Sequence, residues 1–231
     1  MLASANEPTL QPWTLPLLRL VSPGLPIGGF AYSKGLEYAA HAGWVRDEAS
    51  AREWIVGILT HTVAQLDAPL FVRLYDALAA GDLERAAHWN AIVRASRESQ
   101  ELALEDAQLG AALGRLLVSL DAVTREQWAD LPDASYVAAF ALAAVRWDIP
   151  RNAALQGYLW AILESQTSAA VRLIPLGQSA GQRILEAGLT ALPGAIEAAC
   201  ALPDDELGAV AVSLAIGSAL HETQYCRLFR S

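Results

Sequence analysis

Apolar residues recur along most of the chain at helical intervals. The longest series has intervals of seven, four, three and four residues and consists of Leu102, Leu109, Leu113, Leu116 and Leu120. Such intervals place apolar side chains on one face of an α-helix, whereas the alternation typical of a half-buried strand is absent from the sequence. The pattern predicts an all-α fold, a single-domain bundle of about ten helices.

Capping residues and prolines predict where some of these helices begin and end. Asp47 is suited to cap the N-terminus of a helix. Thr124 and Gln127 have the spacing of a capping box, in which each side chain bonds the backbone of the other residue. Pro193 and Pro203 are predicted to bracket a short separate segment, because proline interrupts helices.

The last helix is predicted from about Asp204 to Arg227. It is apolar on nearly all sides through Leu220, a pattern typical of a helix surrounded by protein. We therefore expect this C-terminal helix at the centre of the bundle. The charge-free runs 134–145 and 207–220 are shorter than the roughly 18–20 residues that span a bilayer, so we expect no membrane association.

Composition supports helix and excludes several classes of protein. The 231 residues include 45 Ala and 36 Leu, which lose little conformational freedom in a helix. The net charge of −9 is opposite to the basic footprint of nucleic-acid-binding proteins. Two cysteines, Cys200 and Cys226, cannot make a disulfide framework, and residues 1–12 resemble a flexible N-terminus rather than a signal peptide. We expect a cytoplasmic protein.

One sequence pattern resembles a hydrolase site. Ser33 lies in a stretch that approximates the nucleophile elbow, and Asp204 or Asp205 and then His221 follow in a permissible order. The elbow needs a preceding strand, which the glycines and prolines before Ser33 disfavour. A serine hydrolase that uses Ser33 is therefore an alternative, with a turn or capping role for Ser33 as the other interpretation.

The histidines do not predict a metal centre. His221 begins a stretch similar to the zinc-protease motif, but Tyr225 occupies the place of the second histidine ligand. The remaining histidines are scattered, so we expect no metal site and no resident cofactor in this chain alone.

Two segments combine charge and apolar residues in a way that favours protein contacts. Residues 172–178 place a helix break and Arg172 between two apolar helices. Residues 225–231 carry Tyr, Phe, Leu and two Arg, several of which are enriched at interface hot spots. From the residues alone, docking of this last segment on a partner and packing on the chain's own body are equally compatible.

Ordered motifs along nearly the whole chain are similar to those of the urease accessory protein UreF family. They comprise Ser22, Leu25-Pro26, Gly28-Gly29, Tyr32-Ser33, Gly35-Leu36-Glu37, Gly43-Trp44-Val45, Asp67-Ala68-Pro69-Leu70, Arg97-Glu98-Ser99, the stretch from Arg172 to Gln178, the stretch from His221 to Tyr225, and Arg227-Leu228-Phe229-Arg230-Ser231.

The resemblance implies an all-helical, non-enzymatic chaperone that forms a homodimer. It would bridge the scaffold protein UreD, also called UreH, and the GTPase UreG during nickel delivery to apo-urease, with nickel in transit rather than bound as a cofactor. Residues 225–231 would order on the scaffold, and residues 172–178 would lie near the GTPase. A serine hydrolase and a stand-alone nickel carrier are the alternatives.

The residues that this resemblance assigns fall into two groups. Those implied in partner binding are Arg172, Pro175, Gly177, Gln178, His221, Glu222, Gln224, Tyr225, Arg227, Leu228, Phe229, Arg230 and Ser231. Those for which we favour a structural role are Ser22, Pro26, Gly28, Gly29, Tyr32, Ser33, Gly35 and Glu37, with Tyr32 and Glu37 also suited to a dimer or scaffold surface.

Overall fold

The computed structural model describes residues 10–209 and 211–231, and this part of the chain contains helices and no β-strand. The all-α prediction is thereby confirmed. Most of the predicted flexible N-terminus, residues 1–9, lies outside the described residues. The eleven α-helices of the described part are α1 (Thr14–Leu20), α2 (Leu36–His41), α3 (Glu48–Ile58), α4 (Asp67–Ala80), α5 (Leu83–Ala95), α6 (Gln100–Ser119), α7 (Arg125–Ala129), α8 (Tyr136–Arg146), α9 (Arg151–Leu173), α10 (Gln178–Ala201) and α11 (Val212–His221).

Helix α8 forms the centre of the main core. Residues 137–144 are all buried, and the helix packs against α4, α5, α6 and α9. Five of these eight residues are alanine, whose small side chains let neighbouring helices approach closely. At Gly110 of α6 the backbone just before α8 comes so close that a Cβ atom would lie 2.1 Å from the carbonyl oxygen of Ala134.

The predicted central position of the C-terminal helix is wrong. Residues 204–206 form a short 3-10 turn, α11 begins only at Val212, and it ends at His221. The helix packs on α2 and α6 and leaves Val212, Ile216 and Leu220 exposed. A helix that is apolar on all sides favours burial of every face. The pattern does not show, however, whether each face is buried by this chain itself.

A second, smaller core joins both ends of the chain. Its buried members include Leu36 of α2, Ile55 of α3, Leu163 of α9 and Ile184 of α10. Phe229, from the segment after α11, belongs to the same cluster and is 4% exposed. The last residues of the chain are thus part of a core that the first helices begin.

The predicted helix boundaries are confirmed at the caps and wrong at one proline. Asp47 caps α3 through a capping box with Ser50, and Thr124 with Gln127 caps α7 in the same way. Pro193, however, lies inside α10. Its exposed ring faces away from the core, while Leu192 before it is buried, so packing outweighs the lost backbone hydrogen bond.

Within the described residues, α10 is also the one single helix long and apolar enough to cross a membrane. In the fold it packs against α9, α3 and α4. Buried residues along one side, among them Ile184, Gly188 and Ala199, are typical of an amphipathic helix on the surface of a bundle.

Candidate functional site

The chain that follows α11, which we call the C-terminal segment (residues 222–231), is not helical and packs on the body of the protein. Phe229 and Ser231 are buried, whereas Tyr225 is wholly exposed and Leu228 is 59% exposed. Packing on the chain's own body is therefore the arrangement present for the inner side of the segment. Its outer side, which includes Arg230, remains open to solvent.

Backbone and side-chain groups of residues 31–37 hold this segment. The backbone N–H groups of Leu228 and Phe229 donate to the two carboxylate oxygens of Glu37, at 2.6 and 2.8 Å. The N–H of Arg230 donates to the carbonyl of Ala31 at 2.8 Å, and the N–H of Ser33 donates to the carbonyl of Ser231 at 2.8 Å. The hydroxyl of Ser33 donates to the same carbonyl.

Four charged or ionisable side chains form what we call the histidine cluster: His221, Glu37, Glu101 and Arg227. The imidazole of His221 is 0% exposed. Its Nε2 lies 3.0 Å from Oε2 of Glu37, and its Nδ1 lies 2.7 Å from Oε2 of Glu101. Arg227 Nη1 donates to Oε1 of Glu101 at 2.7 Å. The cluster ties α2, α6 and α11 to the C-terminal segment.

Two neighbouring residues complete the docking of the segment. The carboxylate of Glu222 accepts a hydrogen bond from the backbone N–H of Gln100 at 3.0 Å, at the start of α6. The helix dipole favours a carboxylate at this position. Gln224 donates from Nε2 to the carbonyl of Cys226 at 2.9 Å and fixes the turn between them.

Arg172 joins the helix break to this segment. Its guanidinium carbon lies 4.6 Å from the centre of the Phe229 ring, a cation–π contact, and Nη1 donates to the carbonyl of Phe30 at 3.0 Å. Pro175, Gly177 and Gln178 follow as exposed residues at the turn into α10. The structure thus places the two predicted partner-binding stretches side by side.

The motif before α2 shapes the surface on which the segment lies. Gly28 and Gly35 have φ of +79° and +74°, which favours glycine. A Cβ on Gly35 would also lie 2.9 Å from the backbone nitrogen of Ser218 in α11. Gly29 begins a 3-10 turn, and the Tyr32 hydroxyl bonds Gln108 of α6.

Ser22 and Pro26 lie at the exposed start of this motif. Ser22 Oγ accepts the N–H of Gly24 at 3.2 Å, and Pro26 is exposed in the turn that follows. These contacts are local, and the structural role of Ser22 and Pro26 stays a prediction.

A second buried ionic group, which we call the arginine cluster, consists of Arg97, Asp67, Asp106 and Tyr158. Arg97 donates to Asp67 Oδ1 at 2.8 Å and to Asp106 Oδ1 at 3.0 Å, and the Tyr158 hydroxyl donates to Asp67 Oδ2 at 3.2 Å. Burial acts to lower the pKa of Arg97, but the two carboxylates outweigh it and hold that pKa above its usual range. Burial raises the pKa of Asp106, against the opposing effect of Arg97.

Glu105 lies beside the arginine cluster and contacts the end of the C-terminal segment. Lys34 Nζ lies 2.6 Å from Glu105 Oε1, and the Ser231 hydroxyl donates to Glu105 Oε2 at 2.6 Å. A cavity of about 140 Å³ is lined by Glu105 and Arg97 together with Phe229 of the C-terminal segment. The end of the chain therefore lies against the charged interior of the bundle.

Sequence reasoning missed several of these residues. Asp67 and Arg97 were part of the family motifs without a role, and Glu101, Glu105 and Asp106 were not singled out. The available signal is the placement of carboxylates within the otherwise apolar repeat of α6, where Glu105 and Asp106 are buried. Buried carboxylates need partners, although the sequence does not say which.

The geometry does not assemble the alternative hydrolase site. Ser33 is 0% exposed, donates to the Ser231 carbonyl and accepts the N–H of Glu37. Both nitrogens of His221 face carboxylates instead of a hydroxyl, and Asp204 pairs with Arg73. In the described part of the chain, no three His, Cys, Asp or Glu side chains are grouped as a metal site.

Comparison with known proteins places the chain in a family. The UreF family model matches residues 45–188. The chain is 48% identical over 217 residues to urease accessory protein UreF 2 of Brucella anthropi, covering 94% of this chain and 96% of the relative. It is 47% identical over 216 residues to urease accessory protein UreF of Chromohalobacter salexigens, covering 93% of each chain. The chain therefore belongs to the UreF family of urease accessory proteins.

Proposed function

We propose that this chain is a non-enzymatic chaperone of urease maturation, a homodimeric adaptor that bridges the scaffold UreD (UreH) and the GTPase UreG while nickel is delivered to apo-urease. Membership of the UreF family supports the general role, because its relatives are named as urease accessory proteins. Nickel is cargo of the complex in this proposal and not a resident cofactor, and the complex is cytoplasmic.

One observation carries the adaptor role. Between residues 212 and 228 the chain leaves a series of apolar side chains open to solvent: Val212, Ile216, Leu220, Tyr225 and Leu228. Apolar surface concentrated in one region marks an interaction site more often than isolated exposed residues do. We assign this outer surface of α11 and of the C-terminal segment to the scaffold.

Because the segment is docked on the body of the chain, only part of it can contact the scaffold directly. Phe229 and Ser231 face the body of this chain, so they hold the segment in shape. Tyr225 and Leu228 face outward and would supply the direct contacts. Burial of each such side chain in a partner groove is worth about 1.5–3 kcal/mol before ordering costs.

The GTPase surface is assigned to the exposed turn beside Arg172, formed by Pro175, Gly177 and Gln178. Arg172 itself contacts both Phe30 and Phe229, so its replacement would disturb the C-terminal segment as well. Among the described residues, no side-chain hydrogen bond joins Gln178 to the C-terminal segment. A substitution of Gln178 therefore tests the GTPase surface without disturbing that segment.

Pull-down assays with purified UreD and UreG test the two assignments. The double variant Tyr225→Ala/Leu228→Ala is expected to lose at least tenfold in affinity for UreD, since about 1.4 kcal/mol corresponds to tenfold. Gln178→Ala is expected to weaken UreG recruitment and to retain UreD. Leu189→Ala, which truncates an exposed leucine on α10, is the matched control.

Full-strength UreD binding by the double variant would exclude this surface as the scaffold site. An esterase assay and a nickel titration on the same preparation address the alternatives. Ester hydrolysis abolished by Ser33→Ala would support the hydrolase, and a tight nickel site in the isolated chain would support the carrier.

A further inference from the structure

The carboxylate of Glu37 binds two successive backbone N–H groups of the C-terminal segment. Leu228 donates to Oε1 at 2.6 Å, and Phe229 donates to Oε2 at 2.8 Å. Hydrogen bonds to a carboxylate are shorter and stronger than those between neutral groups, and Glu37 is only 6% exposed. This one side chain therefore anchors the segment where it bends, at residues 228 and 229.

Groups of the body fix the position of this carboxylate. The N–H of Glu37 donates to Oγ of Ser33 at 3.2 Å, and Nε2 of His221 lies 3.0 Å from Oε2. At Gly35, directly before α2, the backbone comes so close to α11 that a Cβ atom would lie 2.9 Å from the backbone nitrogen of Ser218. Helix α2 is thus seated against α11, and a group that is already fixed loses little freedom when it binds.

The two anchored residues send their side chains in opposite directions. Phe229 is 4% exposed and lies in the smaller core, with the guanidinium of Arg172 over its ring. Leu228 is 59% exposed. The outward direction of Leu228 therefore depends on the bend that Glu37 holds.

The side chains of the segment disfavour any other register. Arg230 is exposed between two buried residues, Phe229 and Ser231. A shift of the segment by one residue in either direction would put Arg230 into one of these two buried places, and burial of a charge without a partner is costly. One register thus combines the bonds to Glu37 with a buried Phe229 and an exposed Arg230.

We propose that Glu37 is the positioning residue of the scaffold surface. Its carboxylate holds the bend at Leu228 and Phe229 in the isolated chain, so that Leu228 and Tyr225 already face outward when the scaffold binds. The proposal rests on the assignment of this outer surface to UreD. Because the surface is preorganised, less conformational freedom is lost on binding than with a segment that orders on its partner.

The first test is Glu37→Gln, which keeps the size of the side chain and removes one of the two acceptor oxygens. Hydrogen exchange at the amides of Leu228 and Phe229 is expected to rise at least tenfold in the isolated chain, while α8 keeps its protection. The affinity for purified UreD is expected to fall at least tenfold. Glu48→Gln is the matched control, because Glu48 pairs with Arg183 on the surface, and it is expected to change neither quantity.

A second test leaves Glu37 and the body unchanged. Residues 1–225 are joined by ligation at Cys226 to synthetic peptides of residues 226–231, which gives the full chain. In one peptide an ester replaces the amide between Leu228 and Phe229, so the N–H that donates to Oε2 of Glu37 is lost. In the control peptide the ester lies between Cys226 and Arg227, because no hydrogen bond of the Arg227 N–H is found among the described residues.

Combining the two changes separates positioning from a general structural role. The ester at Phe229 is expected to weaken UreD binding at least tenfold with Glu37 in place and at most threefold in Glu37→Gln, since changes that act on one contact are not additive. The ester at Arg227 is expected to have no effect.

Several results would overturn the proposal. Unchanged exchange at Leu228 and Phe229 in Glu37→Gln would exclude Glu37 as the anchor, whatever partner uses the surface. Raised exchange with full UreD affinity would exclude the positioning role, and so would equal losses from the ester with and without Glu37. Failure of the scaffold assignment itself is detected separately, as full UreD binding by Tyr225→Ala/Leu228→Ala.

Discussion

The arginine cluster and the histidine cluster both bury carboxylates inside the fold, but different side chains pair with those carboxylates. Each buries two carboxylates and links elements far apart in sequence. In the arginine cluster every member lies on or beside a helix of the bundle, and the cation is Arg97. In the histidine cluster the imidazole of His221 lies between the two carboxylates, and one of the elements that the cluster ties down is the non-helical C-terminal segment.

The two clusters differ in how much of the fold depends on each of them. Arginine stays protonated throughout the range in which proteins fold, so the arginine cluster keeps its cation at every working pH. The histidine cluster holds the non-helical C-terminal segment, from which Phe229 is buried in the smaller core. Loss of the first cluster should unfold the body, whereas loss of the second should free one segment.

The most severe test of this contrast is Arg97→Ala. The substitution leaves Asp67 and Asp106 as buried carboxylates without their cation, and removal of one partner from a buried ion pair typically costs about 3–5 kcal/mol. We expect the free energy of unfolding in urea to fall by that amount, in a single transition that involves the whole bundle.

Arg94→Ala supplies the control for this loss. Arg94 pairs with Asp133 at 3.3 Å, and both side chains are largely exposed, so its removal should cost at most about 1 kcal/mol. Equal losses in the two variants would mean that the arginine cluster does not stabilise the body in the way argued here.

Phe229→Ala tests the other side of the comparison. The ring is buried in the smaller core and lies under Arg172, and burial of such a side chain is worth about 1.5–3 kcal/mol. We expect most of this loss to appear as release of the segment. Hydrogen exchange at residues 227–231 should rise at least tenfold, while the main core around α8 keeps its protection.

Leu228→Ala is the matched change, because Leu228 is the outward neighbour of Phe229 and makes its contact with Glu37 through the backbone. It should leave exchange in the segment nearly unchanged. Loss of protection in α8 upon Phe229→Ala would show that the segment is part of the global fold and does not open separately from the body.

The fold could be predicted further from the sequence than the site could. Helical spacing and local caps, such as Asp47 with Ser50, depend on residues three or four apart, and these predictions are confirmed. The histidine cluster joins Glu37, Glu101 and His221 across more than a hundred positions of the chain. No periodicity records such a pairing, so the sequence could mark Glu37 and His221 as motif residues without bringing them together.

The wrong position of the last helix has a related cause. Sequence shows that α11 is apolar on several faces, and burial against α2 and α6 accounts for Leu214, Gly217 and Ser218. The remaining apolar face is exposed in this chain. A pattern that is satisfied either by the chain's own core or by a partner cannot be assigned to one of them from a single sequence.

The smallest expected effect concerns the pH dependence of the arginine cluster. Burial raises the pKa of Asp106 in the folded chain, so between its unfolded pKa and this raised value the folded state binds the extra proton. The contribution of Asp106 to stability therefore decreases as pH rises through that window. Asp106→Asn removes this dependence, and the free energy of unfolding of the variant relative to the unsubstituted chain should increase as pH rises through that window.

Asp47→Asn should show the opposite sign and serves as the control for Asp106→Asn. The hydrogen bonds from Ser50 lower the pKa of Asp47, so its contribution is present above its unfolded pKa and is lost as pH falls through the lowered value. Relative to the unsubstituted chain, this variant should therefore lose stability as pH rises. Urea unfolding of both variants at four pH values gives the two slopes. Slopes of the same sign would mean that burial does not control the pKa of Asp106. The carboxyl group of Asp106 would then behave like the exposed carboxyl group of Asp47.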